Sequence, residues 1–279
     1  MSTANGMRTT LGVSTAPDMG TALALQWATF SRSATARVAT ALAVLAAPVF
    51  GIGMVALARS GAITGTSAAK FEPFVEGAFG DAVGALVGQI LTVVMVLAAG
   101  FAVAWLFGRE FADRTYGSLF ALPVSRAQLG WAKVMVAAAW AVACVTFAVA
   151  LTTLGLAIAA TAGLEGAAVT GELLVVLARD GVAGVLMGLL GLPFGWVAVR
   201  SRGYIGALGG IIAVVAASQI LASLGLGRWV PYVAPALWAG AGGDEAATSV
   251  GVPQLLWALA FAGLGAWAAV RAFAGKGRF

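Results

Sequence analysis

Between Ala82 and Phe107 the chain runs for 26 residues without an acid or a base, and a second uncharged run fills Val134 to Ala160. A bilayer core asks for about 20 apolar residues at 1.5 Å rise each, so either run is long enough to cross. The segment between them, Gly108 to Lys133, holds two acids, Glu110 and Asp113, and four bases, Arg109, Arg114, Arg126 and Lys133. A hairpin of two membrane spans joined by a polar loop keeps those charges in water and both flanks in hydrocarbon.

Composition extends that reading to the whole chain. Charged residues make up 10% and apolar residues 61% of 279, against about 25% charged in a soluble domain, so the sequence cannot clothe a soluble surface. The length suits one bundle of six spans and leaves no room for an added enzyme domain. Histidine is absent and Cys144 is the sole cysteine. Imidazole ligands, a hydrolytic triad and an intramolecular disulfide are thereby excluded, and no metal, cofactor or catalytic residue is expected. The net charge of +5 comes from bases at the ends of apolar segments and not from a stripe, so nucleic acid is not a partner.

The fold class expected is an all-α polytopic membrane protein with spans near Val38–Ala58, Ala82–Phe107, Val134–Ala160, Gly181–Val199, Tyr204–Leu226 and Val252–Val270. Residues 1–37 read as a polar tail followed by a helix from Met19 with Leu23, Trp27 and Phe30 on one face, either interfacial or continuous with a tilted first span. Pro193 between Gly191 and Gly195 should kink the fourth span. Trp229 to Trp238 reads either as a re-entrant element or as an aromatic belt. Arg179 and Asp180 carry two readings. A helix starting at Glu172 would put both in the bilayer, where ionisable groups pair or line a pathway; a start at Gly181 makes them boundary residues with Asp180 as a cap. The boundary reading is the simpler parse.

Residues 108–133 have internal order. Glu110 and Arg114 stand four apart with the acid first, the favourable orientation, and Phe111, Thr115, Leu119 and Leu122 recur at helical spacing. A short surface helix is expected, weakened at Gly117 and ended at Pro123, with Ser125 capping a helix that resumes at Arg126. The run Glu110, Asp113-Arg114-Thr115, Gly117-Ser118-Leu119, Leu122-Pro123-Val124-Ser125-Arg126 and Lys133 resembles the cytoplasmic loop of ABC-2 type permeases, especially the bacitracin and lantibiotic self-protection group. The resemblance implies a single permease domain over 1–279 in a bacterial-type cell membrane, with a coupling helix in the loop that sits on a separate ATPase subunit. It gives Glu110, Phe111, Asp113, Arg114, Gly117, Leu119, Leu122, Pro123 and Arg126 to that contact. It also implies a permease dimer, an amphipathic substrate such as an antimicrobial peptide, contact with membrane lipid, and ATP and magnesium held by the partner alone. The family's acidic-residue and Gly-Thr arrangement is altered here, because Thr115 precedes Tyr116-Gly117.

No Gly-x-x-x-x-Gly-Lys-Ser/Thr run occurs, so the chain is not itself an ATPase. A lipid or hydrophobic-compound exporter subunit shares these features, and a non-transporting immunity or scaffold protein shares the hydropathy. An ion-coupled carrier would show paired charges in broken helices, for which only Arg179-Asp180 qualifies.

Charge asymmetry fixes the expected orientation. Arg8, Arg32, Arg37, Arg109, Arg114, Arg126, Lys133, Arg200, Arg202, Arg271, Lys276 and Arg278, twelve of the 16 bases, fall on one side of this parse, which the positive-inside rule places in the cytoplasm with both termini. Cysteines introduced at Ser118 and Ser249 in a background lacking Cys144 test this: a membrane-impermeant thiol reagent applied to intact cells should label position 249 and spare position 118. The reverse pattern would invert the topology.

Overall fold

The computed structural model describes residues 19–62, 75–117 and 124–275, all of them helix or connecting turn. In chain order the helices are α1 (Met19–Ser31), α2 (Ala34–Arg59), α3 (Phe79–Ala112), α4 (Arg126–Thr161), α5 (Gly171–Leu189), α6 (Pro193–Arg200), α7 (Ile205–Ser223), α8 (Ala234–Trp238), α9 (Asp244–Thr248) and α10 (Val252–Gly275). Among the described residues six segments are long and apolar enough to cross a membrane: α2, α3, α4, α5 with α6 as one broken span, α7 and α10. The all-α, six-span reading of the sequence is the observed fold.

The centre of the bundle is α3, which packs against α2, α4, α5, α6, α7 and α8. Its buried residues include Gly80, Gly84, Gly88, Ala98, Ala99, Gly100, Ala102, Ala104 and Gly108. Between membrane helices the gain comes from close van der Waals contact, which small residues permit. One close backbone crossing is with the break between α5 and α6. There a Cβ added to Gly191 would meet the Gly100 amide nitrogen at 2.7 Å and the Ala99 carbonyl carbon at 2.8 Å. Pro193 starts α6 at a position where its missing N–H costs little, so the fourth span is interrupted where the sequence predicts a kink.

The helix ends differ from the sequence reading. The second span does not stop at Phe107, because α3 continues as regular helix to Ala112; α4 begins at Arg126, where the sequence resumes a helix, and runs unbroken into the apolar stretch from Val134. Ser125 caps α4 as expected, its Oγ accepting from the Gln128 amide at 3.2 Å while the Gln128 side chain accepts from the Ser125 amide at 3.0 Å. The fourth span starts at Gly171 and not at Gly181, with Thr170 as the N-cap. On α1, a helix separate from α2, the face is rotated from expectation: Phe30 is buried between Trp105 and Trp140, but Trp27 points outward.

The connection after α7 folds back onto the bundle, so that Tyr232 lies 6.0 Å from Phe194 and 5.8 Å from Phe261, ring to ring, and Val233, Ala234 and Leu237 are buried. The aromatic segment is therefore packed among the spans, closer to the re-entrant than to the belt reading. By contrast α7 itself buries only Ala207 and Ile211 and presents Ile205, Ile212 and Ile220 outward.

The Gly100–Gly191 crossing yields a stability test. Gly191→Ala should destabilise the purified protein by about 1–3 kcal/mol, the usual cost of overpacking, whereas Gly263→Ala, whose Cβ would meet open space, should be neutral within ~0.5 kcal/mol. Thermal unfolding in detergent measures both, and equal midpoints would contradict the crossing.

Candidate functional site at the loop face of the bundle

The face of the bundle that carries the loop 108–133 is closed by a buried ion pair. Glu110 lies in the last turn of α3 and Lys133 two turns into α4, and both are buried. Lys133 Nζ donates to Glu110 Oε1 at 2.5 Å and to the Leu106 carbonyl at 2.5 Å. Arg109 Nε approaches the same carboxylate oxygen at 3.7 Å. The ammonium also lies 5.2 Å from the Phe273 ring centre and 5.9 Å from that of Phe107, within cation–π range. A buried charge survives only when paired and hydrogen-bonded, and here the partner comes from the other arm of the hairpin.

Above the pair, the loop is clasped to the last span. The Tyr116 hydroxyl donates to the Phe273 carbonyl at 2.7 Å and receives Arg126 Nη1 at 3.4 Å. Its ring stacks on Phe111 at 4.5 Å and meets Phe273 edge-on at 5.6 Å. The chain leaves α3 by a short turn in which Arg114 takes a left-handed conformation, φ 58°, and the Thr115 amide donates to the Glu110 carbonyl at 2.9 Å. Asp113, Arg114, Thr115 and Gly117 are exposed.

The sequence-derived contact set thus divides. Glu110 does not pair with Arg114 and does not face outward, because the helix it was assigned to is the buried end of α3 and its register points Glu110 at Lys133. Phe111 and Arg126 are half-buried and serve the Tyr116 clasp. Asp113, Arg114 and Gly117 form the exposed corner. Leu119, Leu122 and Pro123 lie outside the described residues, as does Ser118. Lys133, Tyr116 and Phe273 have roles that residue spacing did not disclose. One signal was present: folding the chain back about the middle of the loop brings 110 and 133 opposite each other.

A second ionisable group sits deeper, toward the other face. Asp180 is fully buried in the interior of α5, nine residues after its start or roughly 13 Å along the axis, so the boundary and capping reading is corrected in favour of the alternative. The carboxylate fits against Gly88 of α3, where a Cβ would lie 2.7 Å from Asp180 Oδ1. Arg179 Nε is 4.0 Å from that oxygen and its Nη2 lies 3.5 Å from the Ala239 carbonyl just past α8. Among the described residues neither Asp180 carboxylate oxygen receives a hydrogen bond. The pair ties the fourth span to the folded-back segment. Among the described residues no cluster of His, Cys, Asp or Glu could hold a metal.

Residues 35–218 match the family model described as "ABC-2 family transporter protein", which spans most of the chain and reaches from α2 to near the end of α7. The chain belongs to the ABC-2 transporter family. It is accordingly a multi-pass membrane permease of an ABC exporter, and this family implies a separate partner ATPase subunit. Comparison with curated proteins gives no match. In this ABC-2 permease α10, which supplies Phe273 to the clasp, lies beyond the matched segment.

The ion pair predicts a thermodynamic cycle. Glu110→Leu and Lys133→Leu should each cost about 3–5 kcal/mol by stranding the other charge, while the double variant, which removes both, should recover most of that loss. Unfolding of the purified permease reads all three proteins. Additive losses would show that the two side chains do not depend on each other.

Proposed function

We propose that this permease exports an amphipathic, membrane-associated substrate, with antimicrobial peptides of the bacitracin or lantibiotic kind as the leading class and self-protection as the purpose. The supporting observation is a cavity of about 330 Å³ between α3, α7 and α8. Gln89, Thr92, Ser218 and Gln219 give it an uncharged polar wall, and Tyr232 and Leu237 give it an apolar one. Among the described residues no acid or base lines it. Such a lining suits a molecule with both polar and apolar surface and offers nothing to compensate a small, highly charged solute. A second permease copy meets the first along the exposed apolar face of α7, which borders the cavity.

Drive comes from the partner ATPase, docked in the cytoplasm against the corner formed by Asp113, Arg114 and Gly117. The Glu110–Lys133 pair and the Tyr116–Phe273 clasp hold that corner rigidly to α3, α4 and α10, so that displacement of the corner moves three spans together. Glu110 is then a positioning residue and not a docking contact.

Reconstitution of the permease with its ATPase tests both halves. ATP-dependent movement of a labelled amphipathic peptide is expected, and Ser218→Ala with Gln219→Leu should raise the half-saturating peptide concentration about five- to thirtyfold, the loss of one or two hydrogen bonds at ~1 kcal/mol each. Asp113→Lys should lower substrate-stimulated ATP hydrolysis without changing thermal stability. Transport of a small polar solute alone would sink the substrate reading. Movement of lipid in place of peptide would redirect it to a lipid exporter, and full stimulation in the Asp113 variant would remove the corner from the docking site.

A further inference from the structure

The sequence contains the same five-residue pattern twice at the ends of spans: Trp196-Val-Ala-Val-Arg200 closes α6 and Trp267-Ala-Ala-Val-Arg271 lies near the end of α10. In each, the guanidinium folds back over the indole one turn earlier, at 5.4 Å for Arg200 on Trp196 and 5.1 Å for Arg271 on Trp267. The two helices run in the same direction and touch at backbone distance: a Cβ on Gly265 would come within 2.8 Å of the Pro193 Cα, and one on Gly195 within 3.2 Å of the Ala269 Cβ. That contact holds the two Trp-Arg pairs in register on the walls of one open groove of about 470 Å³, floored by Ala268 and Ala272.

The chemistry of the groove is one-sided. Among the described residues two guanidinium groups face it, no acid lines it, and neither Arg200 nor Arg271 has a carboxylate within ion-pair distance. A third such couple, Trp105 and Arg109 on α3, shows the contrast: Arg109 lies over Trp105 at 5.0 Å but turns its charge toward Glu110. Two like charges on one groove repel until an anion lies between them. Depth supplies the second half of the argument. Each tryptophan precedes its arginine by four residues, roughly 6 Å further into the bundle, and both rings are about half exposed on its outer surface. The groove therefore grades from cationic at the membrane boundary to aromatic and apolar on the hydrocarbon side.

We propose that this groove binds one anionic membrane phospholipid, with Arg200 and Arg271 on the phosphate and Trp196 and Trp267 against the glycerol and the first carbons of an acyl chain. Planar guanidinium groups suit phosphate oxygens, and basic pockets between spans are where anionic headgroups bind. The site lies on α6 and α10, apart from the α3–α7–α8 cavity, and does not depend on the substrate proposed for it.

Native mass spectrometry of the purified full-length chain, given equal amounts of phosphatidylglycerol and phosphatidylcholine, tests the assignment. The wild type should retain phosphatidylglycerol preferentially. Arg200→Gln and Arg271→Gln should each lower that retention about fivefold, the equivalent of ~1 kcal/mol per base at a membrane surface, and leave phosphatidylcholine unchanged. Arg200→Lys with Arg271→Lys should fall between wild type and the double Gln variant, keeping charge but losing the planar fork. Should the double Gln variant fail to fold, each single variant still carries the expected fivefold loss. Equal retention of the two lipids by the wild type, or unchanged phosphatidylglycerol in both Gln variants, would overturn the proposal. Displacement of phosphatidylglycerol by a tenfold excess of inorganic phosphate would assign the groove to a soluble anion and overturn the lipid.

Discussion

Everything else in this bundle depends on how closely α3 can be approached. A helix surrounded by six others must let their backbones come near, and α3 does so by presenting glycine and alanine along its buried face. The same economy of volume makes room for function. Gly88 leaves the notch that the Asp180 carboxylate fills, Gly100 accepts the broken turn at Gly191, and Gly108 lets the Gly203–Tyr204 turn lie against the end of the helix, where a Cβ would reach the Tyr204 amide nitrogen at 2.7 Å. In hydrocarbon there is little hydrophobic gain to draw helices together, so contact of this kind and satisfied polar groups carry the association.

The polar groups are rationed accordingly. At the loop face the Glu110–Lys133 pair brings opposite charges from two arms of a hairpin, a partnership that removal of either side would turn into a liability. Toward the other face Arg179 and Asp180 are sequence neighbours, which limits their geometry to a long 4.0 Å approach and leaves Arg179 to reach the carbonyl of Ala239 as well. One pair is a hairpin lock, and the other couples a span to the segment folded over it. Both stand at helix–helix contacts.

How much of this was legible in the residues follows from whether the cause is local. Six spans, the cap at Ser125 and the interruption at Pro193 are written in runs, caps and breakers that act over a few neighbours, and each is found. The helix end at 112 and the start at 171 were not legible, because a charged residue reads as a membrane boundary when its partner lies far along the chain. In fact Glu110 and Lys133 remain helical by pairing with each other, and Asp180 by lying in the notch at Gly88. Those are tertiary causes, as is the choice of Phe30 over Trp27 as the buried ring of α1. The assignment of Glu110 to an outward surface failed for the same reason: its spacing from Arg114 is favourable for a free helix, but the register of the α3–α4 hairpin offers a closer base.

The clasp between Tyr116 and Phe273 joins residues 157 positions apart, and this has a consequence for the order in which the protein is made. During synthesis the hairpin of α3 and α4 emerges long before α10, so Glu110 and Lys133 can meet early, yet the ring that covers Lys133 and the carbonyl that receives Tyr116 arrive only with the last span. The turn at Tyr116 therefore takes its final form at the end of biogenesis. A chain that stops short of Phe273 would leave Tyr116 without the carbonyl it donates to and Lys133 without one of the rings beside it, so the corner would stay unfastened in incomplete copies.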